Sequence, residues 1–238
     1  MSRRKSRIRT PSTPGSKIAT NALAPLFSRI SPKGQLRCRV LLEDQILLFE
    51  NFLTAKECKD MVSFIESQPL ELTLLKKKGE AERVNYRMSM VSVEIAQRLF
   101  ELLEPHLPEF PYPVSAKRAN DPDRRRVHSL NSNIRLYKYT PGQHFGPHYD
   151  DSVRDARTGA KSEWTLLVYL SGVEDGVEGG ETLFYREGKK MPAEIITAPL
   201  TRGTALLHRH GCECLLHEGS RIVNGIKYIL RSDLMFKD

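Results

Sequence analysis

Long apolar runs are missing from this sequence of 238 residues. The longest, such as Ile46–Phe49 and Thr165–Leu170, are far too short to span a bilayer, so no membrane segment is expected. Cysteine is scarce: Cys38, Cys58, Cys212 and Cys214 are too few to staple a chain of this length. No apolar core of signal-peptide type stands near the start, and the protein reads as intracellular, in cytoplasm or nucleus. Acidic residues are absent from positions 1–40, which carry ten Lys or Arg. The rest of the chain holds 27 basic and 29 acidic residues, so the net charge of +8 belongs to the tail and the body is close to neutral. Such a tail suits nucleic acid, a nuclear transport receptor or a mitochondrial transit role; equally, it is a solvated leader with no partner.

Residues 1–37 are rich in Arg, Ser, Thr and Pro and read as a disordered basic tail. Beyond them, 39% apolar and 28% charged residues fit a globular domain. Ile46–Phe49 reads as a strand. Thr54 opens a helix with Glu57 three residues on, the pattern of a capping box, and Cys58, Met61, Val62 and Ile65 share one face. A second helix is expected over Glu94–Leu103, stopped by Pro105 and Pro108. From Arg135 the pattern turns to short β-type runs: Leu136–Tyr139, Phe145–Tyr149, Thr165–Leu170, Thr182–Tyr185, Ala193–Thr197, Ala205–Leu207 and Tyr228–Leu234. Such spacing points to a fold that is mainly β with supporting α-helices, a sandwich or jelly roll. Leu70–Tyr86, Lys117–Arg126 and Asp151–Lys161 read as loops.

The chemistry concentrates in Pro147-His148-Tyr149-Asp150. On a strand, residues i and i+2 face the same side, roughly 6.5–7 Å apart, so His148 and Asp150 can reach one ion. Alone, His-x-Asp is a weak signal. A third donor stands 67 residues on, in Leu216-His217-Glu218-Gly219, and Lys227 opens an apolar strand ten residues later. Two imidazoles and one carboxylate on one face leave adjacent positions open, the set associated with iron(II) oxygenases. A lysine there either snorkels at an edge or pairs with a ligand carboxylate. Two rival metal sets exist. His144 and His148 have zinc spacing only on a helix, which Gly142, Gly146 and Pro147 disfavour. His208, His210, Cys212 and Cys214, spaced by two, can share one face of a strand as a zinc or thiolate site, although Cys212 and Cys214 also suit simple core packing.

Taken together, these pieces resemble the 2-oxoglutarate- and iron(II)-dependent dioxygenases of the prolyl 4-hydroxylase type. The matching residues are Tyr139-x-x-Gly142-Gln143-x-x-x-x-His148-Tyr149-Asp150, Val168-Tyr169-Leu170, Gly179-Gly180-Glu181-Thr182-x-Phe184, Gly203-Thr204-Ala205-Leu206, and His217-Glu218-Gly219 with Gly225-x-Lys227. Phe52-Leu53-Thr54-x-x-Glu57-Cys58 resembles the helix that opens this domain. The resemblance implies one dioxygenase domain over residues 38–238, with helical support in 38–130 and a double-stranded β-helix (jelly-roll) core in 131–238. It implies Fe(II) on His148, Asp150 and His217, and Lys227 on the far carboxylate of 2-oxoglutarate. Tyr139 and Thr182 then line the co-substrate pocket. Arg231, at the same strand parity as Lys227, either binds co-substrate or substrate or makes a structural salt bridge.

The implied reaction consumes O2 and 2-oxoglutarate, releases succinate and carbon dioxide, and hydroxylates the substrate; ascorbate would keep the iron reduced. Where collagen-type enzymes carry Trp after the lysine, this sequence has Tyr228, and it shows no secretory signal, which sets collagen aside as the substrate. A prolyl or other amino-acid residue is the leading target. Oxidative demethylation of a nucleic acid base is the second reading, since Asn131-x-Asn133 through Tyr139 also echoes the alkylated-base demethylases. Hydroxylation of a small metabolite and an inactive binding module of the same fold are the others. The intact donor set and Lys227 speak against the last.

Overall fold

A computed structural model describes residue 30 and residues 33–73, 81–109, 126–186 and 194–237. Residues 1–29 and 31–32 of the basic tail and the cluster at 117–125 fall outside the described residues; the end of the tail belongs to the domain, a correction to the boundary at residue 38, because Ile30 and Leu36 are buried in the core and Lys33 pairs with Glu57. In chain order the elements are β1 (Arg37–Leu42), β2 (Ile46–Glu50), α1 (Ala55–Glu66), β3 (Glu71–Thr73), β4 (Arg83–Val91), α2 (Val93–Leu103), β5 (Arg126–Leu130), β6 (Asn133–Tyr139) and β7 (His144–His148). There follow β8 (Lys161–Tyr169), β9 (Glu178–Gly179), β10 (Thr182–Arg186), β11 (Glu194–Ala198), β12 (Ala205–Arg209), β13 (Leu216–Gly219), β14 (Ile222–Asn224) and β15 (Lys227–Lys237).

The strands form a nearly closed antiparallel jelly roll. Its order is β1-β2-β12-β8-β15-β6-β4-β7-β13-β10-β11, with β3 on β4, β5 on β15, and β9 with β14 as a separate pair. The turn from one layer to the other runs through β4. Tyr86–Val91 pair with β6, whereas Arg83 and Val84 pair with Phe145 and His144 of β7. The fold class is therefore the expected one. The segment 38–130 does more than support it, because it supplies β1 to β5.

Period two in the larger layer sorts the side chains between two cores. Leu47, Phe49, Leu136, Leu166, Val168, Leu207, Tyr228 and Leu230 point outward, where α1 and α2 cover them. Ile46, Leu48, Tyr137, Tyr139, Tyr169, Leu206 and Ile229 point into the roll against Phe184, Ala198, Leu200 and Ile222. Strands buried on both faces explain why several of these runs are almost wholly apolar.

Helix α1 starts where the capping box places it. Glu57 N–H donates to Thr54 Oγ1 at 3.2 Å and Thr54 N–H donates to Glu57 Oε2 at 2.7 Å. A cap of this kind contributes about 1 kcal/mol. The helix buries Cys58, Met61, Phe64 and Ile65. Ser92 caps α2 through Ile95 N–H, one residue earlier than Glu94 implied, and Glu104–His106 close it with a 3-10 turn. Among the described residues no helix is long and apolar enough to cross a membrane.

Candidate metal centre and co-substrate cavity

Two neighbouring strands, β7 and β13, bring the donors together. His148 closes β7 and is the direct cross-strand partner of His217 on β13. Asp150 lies two residues past the end of β7, a correction to the single-strand picture. The chain stays extended because the 211–214 turn takes over from the ladder: Gly211 N–H donates to Asp150 O at 2.8 Å, and Asp150 N–H donates to Cys214 Sγ at 3.3 Å. The i, i+2 geometry thus survives without a paired strand.

One ligand atom each from His148, Asp150 and His217 lies within 4.8 Å of the others. The ring atoms facing the ion position are fixed by what holds the other side of each ring. His148 Nδ1 sits 2.9 Å from Gly146 O and His217 Nδ1 2.9 Å from Leu215 O. Carbonyl oxygens only accept, so both Nδ1 atoms carry hydrogen and both Nε2 lone pairs point inward. His148 Nε2 is 3.7 Å from Asp150 Oδ1, and His217 Nε2 is 3.7 Å from Asp150 Oδ2. That is too long for a hydrogen bond. It falls between the roughly 3 Å of adjacent donors and the roughly 4.2 Å of opposed donors on an ion with ~2.1 Å bonds. The residues present fit a divalent ion.

Protonation states agree with that use, since ligands must be deprotonated. Burial, then the neighbouring His217, pushes the His148 imidazole down to about 4, and burial also lowers His217. Burial alone would raise the Asp150 carboxyl. Arg231 and the surrounding imidazoles together outweigh it and hold the group well below the usual carboxylate range. Arg231 Nη2 donates to Asp150 Oδ2 at 2.9 Å, and Thr165 Oγ1 donates to the same oxygen at 2.9 Å. Behind them, Thr165 contacts His210 Nδ1 at 2.9 Å, and Asp233 bonds Arg135.

A cavity opens beside these donors. Lys227 forms one wall. It is only 3% exposed and donates to Gly180 O, with its Nζ 5.4 Å from the Tyr169 ring centre and 5.8 Å from that of Tyr139. Burial pushes its ammonium down to about 7. Thr182 reaches the same wall and shares a 2.8 Å hydrogen bond with the Tyr169 hydroxyl. Arg231 lines the cavity too, at the strand parity of Lys227, but spends a guanidinium nitrogen on Asp150. Tyr139 lines the cavity, and burial pushes its phenol up to about 12.

Arg83 was not anticipated, because Leu70–Tyr86 reads as a loop. It opens β4, with its guanidinium carbon 4.5 Å over the rings of both Tyr137 and Phe145. Its Nε donates to the fully buried Asn85 at 3.1 Å, and its Nη2 has no hydrogen-bond partner. The signal present was the two-residue step from Arg83 to Asn85, but alternation of polar residues does not register as a hydrophobic period. Three cations from two strands, β4 and β15, therefore face Asp150 and a Glu218 engaged by Tyr185, a wall suited to a dianion.

The rival sets do not assemble among the described residues. His144 lies on β7, with its Nε2 3.9 Å from Glu82. The even spacing from His208 to Cys214 breaks where β12 ends at Arg209 and a 3-10 turn begins at Gly211. Cys212 is exposed, and His210 turns to Thr165 and Ser162.

Jelly roll, donor set and cationic cavity together offer a place for a divalent ion beside an anionic ligand. Residues 134–232 match the model of the 2OG-Fe(II) oxygenase superfamily. Prolyl 4-hydroxylase 5 of Arabidopsis thaliana is 26% identical over 149 residues, 60% of this chain and 45% of the relative. Probable prolyl 4-hydroxylase 3 of the same plant is 24% identical over 147 residues, 60% of this chain and 46% of the relative. The chain thus spans less than half the length of these curated relatives. A Pseudomonas putida prolyl-4-hydroxylase shares the fold at TM-score 0.54 and 11% identity, covering 91% of this chain and 100% of that one. A viral collagen prolyl hydroxylase from Paramecium Bursaria Chlorella virus-1 does so at 0.50 and 20%, covering 80% and 96%. Over residues 134–232 the chain is thus similar to the 2OG-Fe(II) oxygenase superfamily, and the relatives it resembles are prolyl 4-hydroxylases.

Proposed function

We propose that this protein hydroxylates a peptidyl residue, proline first, using O2 and 2-oxoglutarate, and yields succinate and carbon dioxide. One observation carries the reading: two imidazoles and a carboxylate converge at the edge of a cavity whose other wall holds a buried ammonium. Ferrous iron, when bound, supplies the activation of dioxygen against the keto acid, with one oxygen atom going to succinate and one to the substrate. His148, Asp150 and His217 are proposed to hold it, and Arg231 and Thr165 keep Asp150 ionised and aimed. Lys227 grips the distal carboxylate of 2-oxoglutarate, Thr182 and Tyr139 line its path, and the apolar walls from Ile222 and Ile229 keep water out. Arg83 stands where a substrate carbonyl or carboxylate can meet its free nitrogen. Ascorbate as the reductant and an intracellular location belong to the same proposal. A peptide substrate is favoured over a nucleic acid because the curated relatives are prolyl hydroxylases and the body of the chain lacks net positive charge.

The test is succinate formation from 2-oxoglutarate with iron(II) and proline-rich peptides. His148→Ala and Asp150→Ala are each expected to abolish it and to remove tight binding of one divalent ion. Undiminished succinate formation in either variant would refute the assignment.

A further inference from the structure

Arg83 differs from the other cations of the cavity in having no anion. Arg231 is answered by Asp150 at 2.9 Å and by Asp233 at 3.6 Å. A keto acid bound between the ion and Lys227 answers the lysine. Among the described residues no carboxylate pairs with Arg83. Glu82, its chain neighbour, turns to His144, with 3.9 Å between Oε2 and Nε2, and Glu218 takes the Tyr185 hydroxyl at 2.5 Å.

The guanidinium is nonetheless held in place. Arg83 is the cross-strand partner of Phe145, and its guanidinium carbon lies 4.5 Å from the ring centres of both Phe145 and Tyr137. Nε donates to Asn85 Oδ1 at 3.1 Å, and the fully buried Asn85 donates through Nδ2 to Tyr86 O at 3.2 Å. The Tyr137 and Tyr139 hydroxyls also bond the guanidinium. Nη2 is buried with no partner. Phe145 stacks on His148, ring centres 3.6 Å apart and planes at 16°, so a single ring links Arg83 to a metal donor.

Stacking alone does not account for an arginine here. It uses the faces of the guanidinium and leaves the N–H groups free in the plane. A buried donor without a partner is unfavourable, and Met would fill the gap between the rings without one. What a charged in-plane nitrogen adds is a charge-assisted bond to an anion. The two carboxylates of the co-substrate are met by the ion and Lys227, so the anion belongs to the substrate.

We propose that Arg83 is a specificity-determining residue that selects a substrate with a carboxylate close to the residue to be hydroxylated. Consecutive Cα atoms are about 3.8 Å apart. The carboxylate is therefore an acidic side chain one or two positions from the target, or the target's own α-carboxylate at a chain end. Nη2 meets it, while Asn85 and the two rings fix the guanidinium. The inference rests on the peptidyl-hydroxylase reading above and narrows its substrate class.

The test is calorimetric binding to full-length protein loaded with manganese(II) and 2-oxoglutarate in the absence of oxygen. The probes are peptides with one central proline flanked by Glu on its N-terminal side, by Glu on its C-terminal side, or by Gln on both. A peptide ending in proline, as free acid and as amide, completes the set. At least one acid is expected to bind about tenfold or more tightly than its uncharged counterpart, and the pair that shows the preference tells a side-chain carboxylate from a terminal one. Arg83→Met should bring that pair within about twofold, and Arg83→Lys should keep part of the preference. In both variants 2-oxoglutarate affinity should change by less than about threefold. Thermal unfolding checks that the variants are folded, and the wild-type comparison stands without them. Equal affinities across every pair in wild type overturn the inference and leave the peptidyl reading standing. A preference that survives Arg83→Met overturns it, and so does a loss of 2-oxoglutarate binding as large as the loss of peptide binding. A wild type that binds none of the peptides overturns both readings.

Discussion

Replacing Lys227 with Met tests the cavity wall without touching the metal donors. The wild-type lysine is buried, and its ammonium falls from 10.5 to about 7 in the folded protein. A lysine depressed in this way lowers stability wherever the unfolded chain is protonated. The penalty is absent above pH ~10.5, grows as pH falls, and levels off below about 7. The full shift corresponds to roughly 5 kcal/mol, of which about 4 is felt at pH 7 and about 2 at pH 9. Methionine removes the charge and keeps the stem, but leaves Gly180 O without its donor at a cost of about 1 kcal/mol. The metal-free Lys227→Met protein should therefore be more stable than wild type by about 3 kcal/mol at pH 7 and by about 1 kcal/mol at pH 9. Urea unfolding in chelator at pH 7, 8 and 9 measures this, with equal slopes required of both proteins. The same variant should bind 2-oxoglutarate at least about thirtyfold more weakly, since one buried charge-assisted pair is lost. In wild type the affinity should fall above pH 7, by up to about tenfold per pH unit, because the ammonium must be re-formed. A stability gap that does not change with pH would refute the account of Lys227 as a buried, ligand-awaiting cation.

Two further outcomes follow from the packing. Arg231→Met leaves Asp150 buried and uncompensated, and should destabilise the metal-free protein by about 3–5 kcal/mol; a loss under about 1 kcal/mol on denaturant titration would mean that Arg231 is dispensable to Asp150. Gly203→Ala should cost at least ~2 kcal/mol, since Gly203 has φ +78° and a Cβ there would lie 2.1 Å from Leu53 O; an unchanged melting temperature would show that the β12 approach to Leu53 is not needed.

Much of the layout was legible because it obeys short periods. Thr54 and Glu57 mark a helix start through a local hydrogen-bond exchange that needs no tertiary context. Lys227 and Arg231 share a strand face by parity alone, and both line the cavity. The parity argument failed where strands stop. Asp150 lies beyond β7, held by the 211–214 turn, and the run from His208 to Cys214 leaves the ladder at Arg209, so its four members do not share a face. Arg83 was hidden for a different reason. Its strand is half polar, and its partners Tyr137 and Phe145 come from β6 and β7, so no local signal announces it. His208 was visible only as part of a spurious set; its proximity to Asp150 depends on the pairing of β12 with β8, which spacing does not encode.

The face-to-face pairing of His148 with His217 has a consequence for folding. Sliding β13 along β7 by one residue would turn His217 away from the roll, and Leu216 would take its place. An ion bridging the two rings would therefore reward one alignment of these short strands and no other. Chelation should loosen the β7–β13 seam ahead of the rest of the roll, visible as faster amide exchange at Leu216–Gly219.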